Sequence, residues 1–320
     1  MIHTITRRAF LKGTVSTACS IAATSSVVKA AEALKNGEPI ATLIDITKCV
    51  GCEECVHACK NANTDKYPKP RKPFPKMYPS GVKAEDWSDK TDVIDRLTPY
   101  NWLYIQSAAV DMDGEEIELN IPRRCMHCTN PPCVKLCPWG SAIQLDNGIS
   151  RIDSDTCLGG AKCQTVCPWL IPQRQTGVGL YLDILPSFAG NGVMYKCDRC
   201  YNKIAQGEIP ACIEACPENV QTIGSRDQIL KQAHELAASM NGYIYGEKEN
   251  GGTNTFYVSP VPFEKLNEVI EKGKGKPHLA KVANSMETGD KLAMAMLFAP
   301  IAGVVGAVAR FYSMSKKDNQ

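Results

Sequence analysis

The chain has 320 residues, 44% of them hydrophobic and 22% charged, with 36 basic against 34 acidic side chains. That near-neutral balance leaves no basic footprint for a polyanion, which excludes nucleic acid as a partner, and the length accommodates about two domains. Sixteen cysteines are too few for a disulfide scaffold of this size, yet they are clustered along the chain.

Residues Thr6 to Lys12 contain the pair Arg7-Arg8, followed by a weakly apolar stretch from Gly13 to Val28 and the small-residue site Val28-Lys29-Ala30. This resembles a twin-arginine export signal, so residues 1–30 are expected to be removed on passage to the periplasm. Cleavage takes away four basic residues and no acidic one, turning a formal +2 into −2, and Cys19 leaves with the signal. The residues before Cys19, Ser16-Thr17-Ala18, lack the leucine that a lipoprotein site wants. The route carries folded proteins, typically those that acquire a cofactor first.

Fifteen cysteines remain, in four groups. The first is Cys49, Cys52, Cys55 and Cys59, the Cys-x2-Cys-x2-Cys-x3-Cys spacing of a bacterial ferredoxin. The second is Cys125, Cys128, Cys133 and Cys137; the third is Cys157, Cys163 and Cys167; the fourth is Cys197, Cys200, Cys212 and Cys216. In the last three groups the final cysteine precedes a proline. Three thiolates on a tight loop match three irons of a cuboidal cluster, and the fourth cysteine reaches a neighbouring one. Zinc is disfavoured because its Cys-x2-Cys pairs rarely carry a third cysteine and a trailing Cys-Pro. Disulfides are disfavoured by the odd count and the dense local spacing. Aligned on the first group, the third has Gly160 where Cys52 stands. A 3Fe-4S centre, a 4Fe-4S cluster with a non-cysteine ligand, and an empty site are all compatible with three thiolates.

Between the groups, Asn147-Gly148 joins two short apolar-alternating runs, and Asp113-Gly114 lies between Leu103-Tyr104-Ile105 and Ile117-Glu118-Leu119. Both read as β-hairpins. Residues 60–76 carry four prolines among six basic residues and read as an extended loop, a solvated spacer or a docking strip. Leu170 to Tyr195 reads as an insertion packing near the incomplete group, and Ser225 to Met240 as an amphipathic helix capped by Ser225. Residues 272–291 form a basic linker. Leu292 to Ala309 is uncharged, about 27 Å of helix, and a transmembrane span is expected over 292–313 with a cytoplasmic tail over 314–320. Ala299, Gly303 and Ala307 give that span a small-residue stripe for close helix packing within membrane lipid.

These features together resemble the four-cluster iron-sulfur subunits of membrane-bound molybdopterin oxidoreductases and hydrogenases. The run Cys49-Val50-Gly51-Cys52, the run Arg124-Cys125-Met126-His127-Cys128, and Tyr245 to Thr253 with Val261-Pro262 carry the likeness. Within that superfamily the chain is most similar to the ferredoxin-like subunits of hydrogenase-2-type nickel-iron hydrogenases. The resemblance implies an α+β fold of tandem two-cluster ferredoxin-like modules with loop insertions over 31–271, plus one C-terminal transmembrane helix. It also implies four ligand sets: Cys49, Cys52, Cys55 and Cys216; Cys197, Cys200, Cys212 and Cys59; Cys125, Cys128, Cys133 and Cys167; and Cys157, Cys163 and Cys137. The expected cofactors are three 4Fe-4S clusters and one 3Fe-4S cluster, the last nearest the membrane. Gly160 and the long 170–195 insertion depart from the pattern that the resemblance implies.

No Ser/His/Asp triad, phosphate loop or carboxylate pair stands out, and the five histidines give no ligand spacing; His57 and His127 lie inside cysteine loops as hydrogen-bonding neighbours at most. The sequence therefore predicts a non-catalytic, membrane-anchored periplasmic subunit. It would relay electrons between a catalytic subunit, a nickel-iron hydrogenase small subunit, and a multi-span quinone-reactive membrane subunit. The alternative is the iron-sulfur subunit of a quinol oxidoreductase or other respiratory complex, exchanging electrons with a multihaem cytochrome or a molybdopterin enzyme. A zinc-stabilised scaffold is the rival of a different class.

Overall fold

A computed structural model describes residues 38–78, 83–112, 114–187 and 192–290. The expected signal at 1–30 and the span at 292–313 lie outside these residues, and among the described ones no helix is long and apolar enough to cross a membrane.

The organising element is a four-stranded sheet in the order Gln221–Ser225, Ile40–Asp45, Thr255–Ser259, Tyr243–Tyr245. Ile40–Asp45 pairs parallel with Thr255–Ser259 in the register Thr42↔Thr255 and antiparallel with Gln221–Ser225 in the register Ile40↔Ser225. Both central strands are buried along their whole length, as strands covered on two faces must be. One face is covered by the helix Arg226–Ser239, whose Ile229, Ala233 and Ala237 meet Ala41, Leu43, Phe256 and Val258. Each large apolar side chain buried in this way contributes roughly 1.5–3 kcal/mol. Ser225 occupies the expected N-cap position, although its hydroxyl makes no capping bond.

Both expected hairpins form. Tyr104–Met112 pairs with Glu115–Arg123 through Tyr104↔Arg123, longer than the apolar runs alone foretell, and Ala142–Gln144 pairs with Ser150–Ile152 through Ala142↔Ile152. The insertion folds as a third hairpin, Gln173–Gln175 with Val193–Tyr195, and carries the short helix Tyr181–Ile184. The proline-rich loop lies against this insertion instead of standing free. Arg71 donates its backbone N–H to the Gly177 carbonyl at 2.9 Å, and Lys72 Nζ pairs with Asp86 at 2.9 Å. Asp86 in turn accepts from Gln175 Nε2 in the insertion.

The basic segment from Lys272 onward turns back onto the long hairpin. Gln106 Nε2 donates to the Glu271 carbonyl, Arg123 Nη2 to the His278 carbonyl, and Leu279 is buried. The largest apolar cluster joins residues from all these parts and includes Cys55, Cys59, Cys125, Cys128, Cys157, Cys163, Cys197 and Cys212. The core is built around thiols.

Candidate metal centres

Cysteine loops of the first and third groups share one backbone design. Gly51 and Gly159 adopt left-handed φ values of 72° and 65°, and Glu53 and Ala161 follow with 61° and 55°. Each left-handed residue starts a helix, Glu54–Ala62 and Lys162–Thr165, that carries the next cysteine inward. Cys55 and Cys59 lie one turn apart on the first of these, on a shared face. In this correspondence Gly160 stands where Cys52 stands, and both positions are exposed. A Cβ built on Gly160 would meet nothing within 4 Å.

All fifteen cysteines from Cys49 to Cys216 are free. Cys49, Cys52, Cys55 and Cys216 line one small cavity, with Val50, Pro217 and Val220. Cys125, Cys128, Cys133 and Cys167 line another, with Trp169, Ile171 and Lys196. Cys59 is pushed well above the usual thiol range by burial and by the neighbouring charges of Cys212, Cys197 and Cys200. Cys163 is raised by burial and by Cys157, Cys133 and Cys137. The two cavities thus gather eight of the thiols, while Cys59 lies near Cys197, Cys200 and Cys212, and Cys163 near Cys157, Cys133 and Cys137.

Each set also lies close enough to the next for its thiols to act on one another. Burial and then Cys212, a member of the second set, raise Cys55 of the first set to about 12. Burial raises Cys197 of the second set to about 11, with Cys125 of the third among its charged neighbours. Cys133 of the third set acts on Cys163 of the fourth. The neighbourhoods therefore run one, two, three, four.

Buried cations lie among the thiols. Arg124 Nη1 donates to Cys212 Sγ at 2.9 Å, and both residues are buried. Lys196 Nζ donates to Cys125 Sγ at 3.5 Å, to the Cys197 carbonyl at 3.2 Å and to the Ser150 carbonyl. Burial alone would lower the Lys196 ammonium, but the Cys125, Cys133 and Cys197 charges outweigh it and its pKa rises. Asn250 Nδ2 donates to Cys128 Sγ at 3.3 Å, and backbone N–H groups of Arg199 and Val220 donate to Cys197 and Cys216, each at 3.4 Å. His127 is buried and held neutral by its burial and by Arg199, Lys196 and Arg124; its Nδ1 accepts from the Ser150 N–H, and no thiol bond involves it. His57 is exposed on its helix.

The donor set fits iron-sulfur clusters. Among the described residues no three His, Cys, Asp or Glu side chains converge on a point that holds a single metal ion; the thiols surround cavities instead. Buried thiolates require compensating positive charge, and Arg124 keeps Nε and Nη2 buried with no protein acceptor, donors that a sulfide-bearing group satisfies.

The insertion meets the fourth set. Arg174 Nη1 donates to the Gly159 carbonyl at 3.4 Å, and the Met194 N–H partly offsets the rise that burial imposes on Cys157. Sequence reasoning singled out the cysteines but assigned no role to Arg124, Lys196 or Asn250. Lys196 and Arg124 each directly precede the first cysteine of a group, the one signal that marks them.

Two family profiles, each described as a 4Fe-4S dicluster domain, match residues 48–141 and 118–226. The hydrogenase-2 operon protein HybA of Escherichia coli O157:H7 is 31% identical, over 82% of this chain and 83% of its own. The formate dehydrogenase iron-sulfur subunit of Haemophilus influenzae is 30% identical, over 74% of this chain and 70% of its own. The formate dehydrogenase-O iron-sulfur subunit of Escherichia coli K12 is 28% identical over 74% of this chain. With paired thiol sets on tandem dicluster domains, the chain belongs to the HybA family of iron-sulfur electron-transfer subunits.

Proposed function

We propose that the chain relays single electrons between a catalytic oxidoreductase subunit, the small subunit of a nickel-iron hydrogenase, and a multi-span quinone-reactive membrane subunit. The observation that carries this reading is the unbroken order of the four thiol neighbourhoods, each next to its successor. Iron-sulfur clusters supply reversible one-electron storage when bound. Cys49, Cys52, Cys55 and Cys216 would hold the first, Cys59, Cys197, Cys200 and Cys212 the second, Cys125, Cys128, Cys133 and Cys167 the third. Cys137, Cys157 and Cys163 would hold the fourth as a 3Fe-4S centre, because Gly160 offers no thiolate.

The protein's own contribution is burial, which limits solvent access, and fixed donors, which favour thiolate over thiol. The quinone-side partner would dock at the fourth set, a reading that the exposed apolar side chains there support. The insertion that packs there exposes Leu180, Ile184 and Leu185, and Trp139, two residues after Cys137, is 61% exposed. Export by the twin-arginine route and anchoring through 292–313 complete the reading, with the clusters on the periplasmic face.

The test is elemental and spectroscopic. The purified full chain is expected to be brown, with iron and acid-labile sulfide for four clusters and an oxidised 3Fe-4S electron paramagnetic resonance signal. A preparation holding zinc alone sinks the relay, and one with four clusters but no 3Fe-4S signal under mild oxidation sinks the assignment at Gly160.

A further inference from the structure

Lys196 stands between two thiol sets. It precedes Cys197 of the second set in the chain, its side chain reaches Cys125 of the third, and it lines the cavity that Cys125, Cys128, Cys133 and Cys167 share. Its environment identifies its charge state from geometry. An ammonium carries three N–H donors and no acceptor. Lys196 Nζ has three acceptors, the Cys125 sulfur and the Cys197 and Ser150 carbonyls. A neutral amine would turn a lone pair toward one of them. The residue is 5% exposed, so water does little to screen this charge.

Among the described residues no other lysine shares this placement. Lys48 also directly precedes a cysteine group, but its side chain is 54% exposed and pairs with Asp45 at 3.2 Å. Among the described residues Arg124 is another buried cation bonded to a thiol, and its hydrogen bond goes to Cys212 of the second set.

We infer that Lys196 is a fixed buried charge that makes the third-set cluster, and to a smaller degree the second-set cluster, easier to reduce. A cluster gains one negative charge on reduction, and a cation at hydrogen-bond distance from its thiolate favours that state. Because one ammonium lies at hydrogen-bond distance from a third-set thiolate and reaches the second set less directly, it raises the third site relative to the second while leaving the first untouched. Lys196 is a positioning residue for electron transfer, and this inference rests on the four-cluster relay proposed above.

The test is a potentiometric titration of the intact, cluster-loaded chain, following the signal of each centre. Lys196→Met and Lys196→Gln are expected to make the third-set cluster at least tenfold harder to reduce, a downward shift of about 59 mV for one electron. The second-set cluster shifts less, in the same direction, and the first not at all. Lys196→Arg, which keeps the charge, holds both within tenfold of the native values. Loaded neutral variants with unchanged third-set potential overturn the inference. So does an equal shift in Lys196→Arg, which marks packing as the cause. A measurement on the native chain stands in if the neutral variants fail to load. With 15N-labelled lysine, the reduced third-set cluster is expected to show a nitrogen coupling in pulsed electron paramagnetic resonance, and its absence overturns the inference. A native chain without clusters defeats the relay itself, a distinguishable outcome.

Discussion

Arg124 donates to the sulfur of Cys212 across 2.9 Å, and both residues lie in the buried core. Burial opposes charge on the guanidinium, yet the surrounding Cys212, Cys197 and Cys59 raise its pKa further. A hydrogen bond to a charged group contributes about 1.5–3 kcal/mol. Arg124→Leu is therefore expected to destabilise the second set by that order and to lose its cluster first. Iron content and signal-by-signal titration check this; full retention of four clusters with unaltered stability contradicts it.

Gly160→Cys has room. The added Cβ meets no atom within 4 Å, and the equivalent residue of the first group is already a cysteine. The variant is expected to replace the 3Fe-4S signal by a 4Fe-4S one and to lower that centre's potential, since an anionic ligand disfavours reduction. Spectra before and after substitution decide it, and an unchanged spectrum refutes the reading of Gly160.

Gly179→Ala probes the insertion. Gly179 has φ 86°, and a Cβ there would sit 2.5 Å from Val193 Cγ2 and 3.4 Å from the Cys157 carbonyl. The left-handed conformation costs a residue with a Cβ roughly 1–2 kcal/mol, to which the contact adds. The fourth-set signal should broaden or vanish while the other three persist. Loss of all four together would show that the insertion supports the whole core and not this set.

Tyr245 anchors the returning segment. It accepts from Trp169 Nε1 at 2.8 Å and donates to the Ala280 carbonyl at 2.9 Å. Tyr245→Phe leaves a buried indole N–H without its acceptor, at a cost of about 1–3 kcal/mol. At about 2–4 °C per kcal/mol for a chain of this size, the drop is readable by thermal unfolding. A melting point within 1 °C or so of the native value argues against this role.

The cysteine spacing and both Asn-Gly and Asp-Gly hairpins were legible in the sequence because their signals are local. The central sheet was not. Ile40–Asp45 and Thr255–Ser259 are buried on both faces, so they carry no period-two alternation, and their pairing joins opposite ends of the described chain. Lys196 and Lys48 look alike in sequence, each just before a cysteine, and only the fold makes one buried and the other exposed. The insertion's neighbour was legible from its place after Cys167, whereas its tie to the proline-rich loop depends on Arg71 and Lys72 meeting partners far along the chain.

The pairing of Ile40–Asp45 with Thr255–Ser259 makes the molecule nested: the first and fourth cysteine groups meet each other, and the second and third meet inside them. On a ribosome, the inner groups emerge together and, with the ligand sets proposed above, would have every thiol of their clusters once Cys167 is out. Cys49, Cys52 and Cys55 must wait for Cys216. Until then three thiols of the outer module stand without their fourth, and any iron reaching them early meets an incomplete site. Loading during synthesis would then run inner module before outer, and the strand Ile40–Asp45, which pairs with Thr255–Ser259, would be placed last.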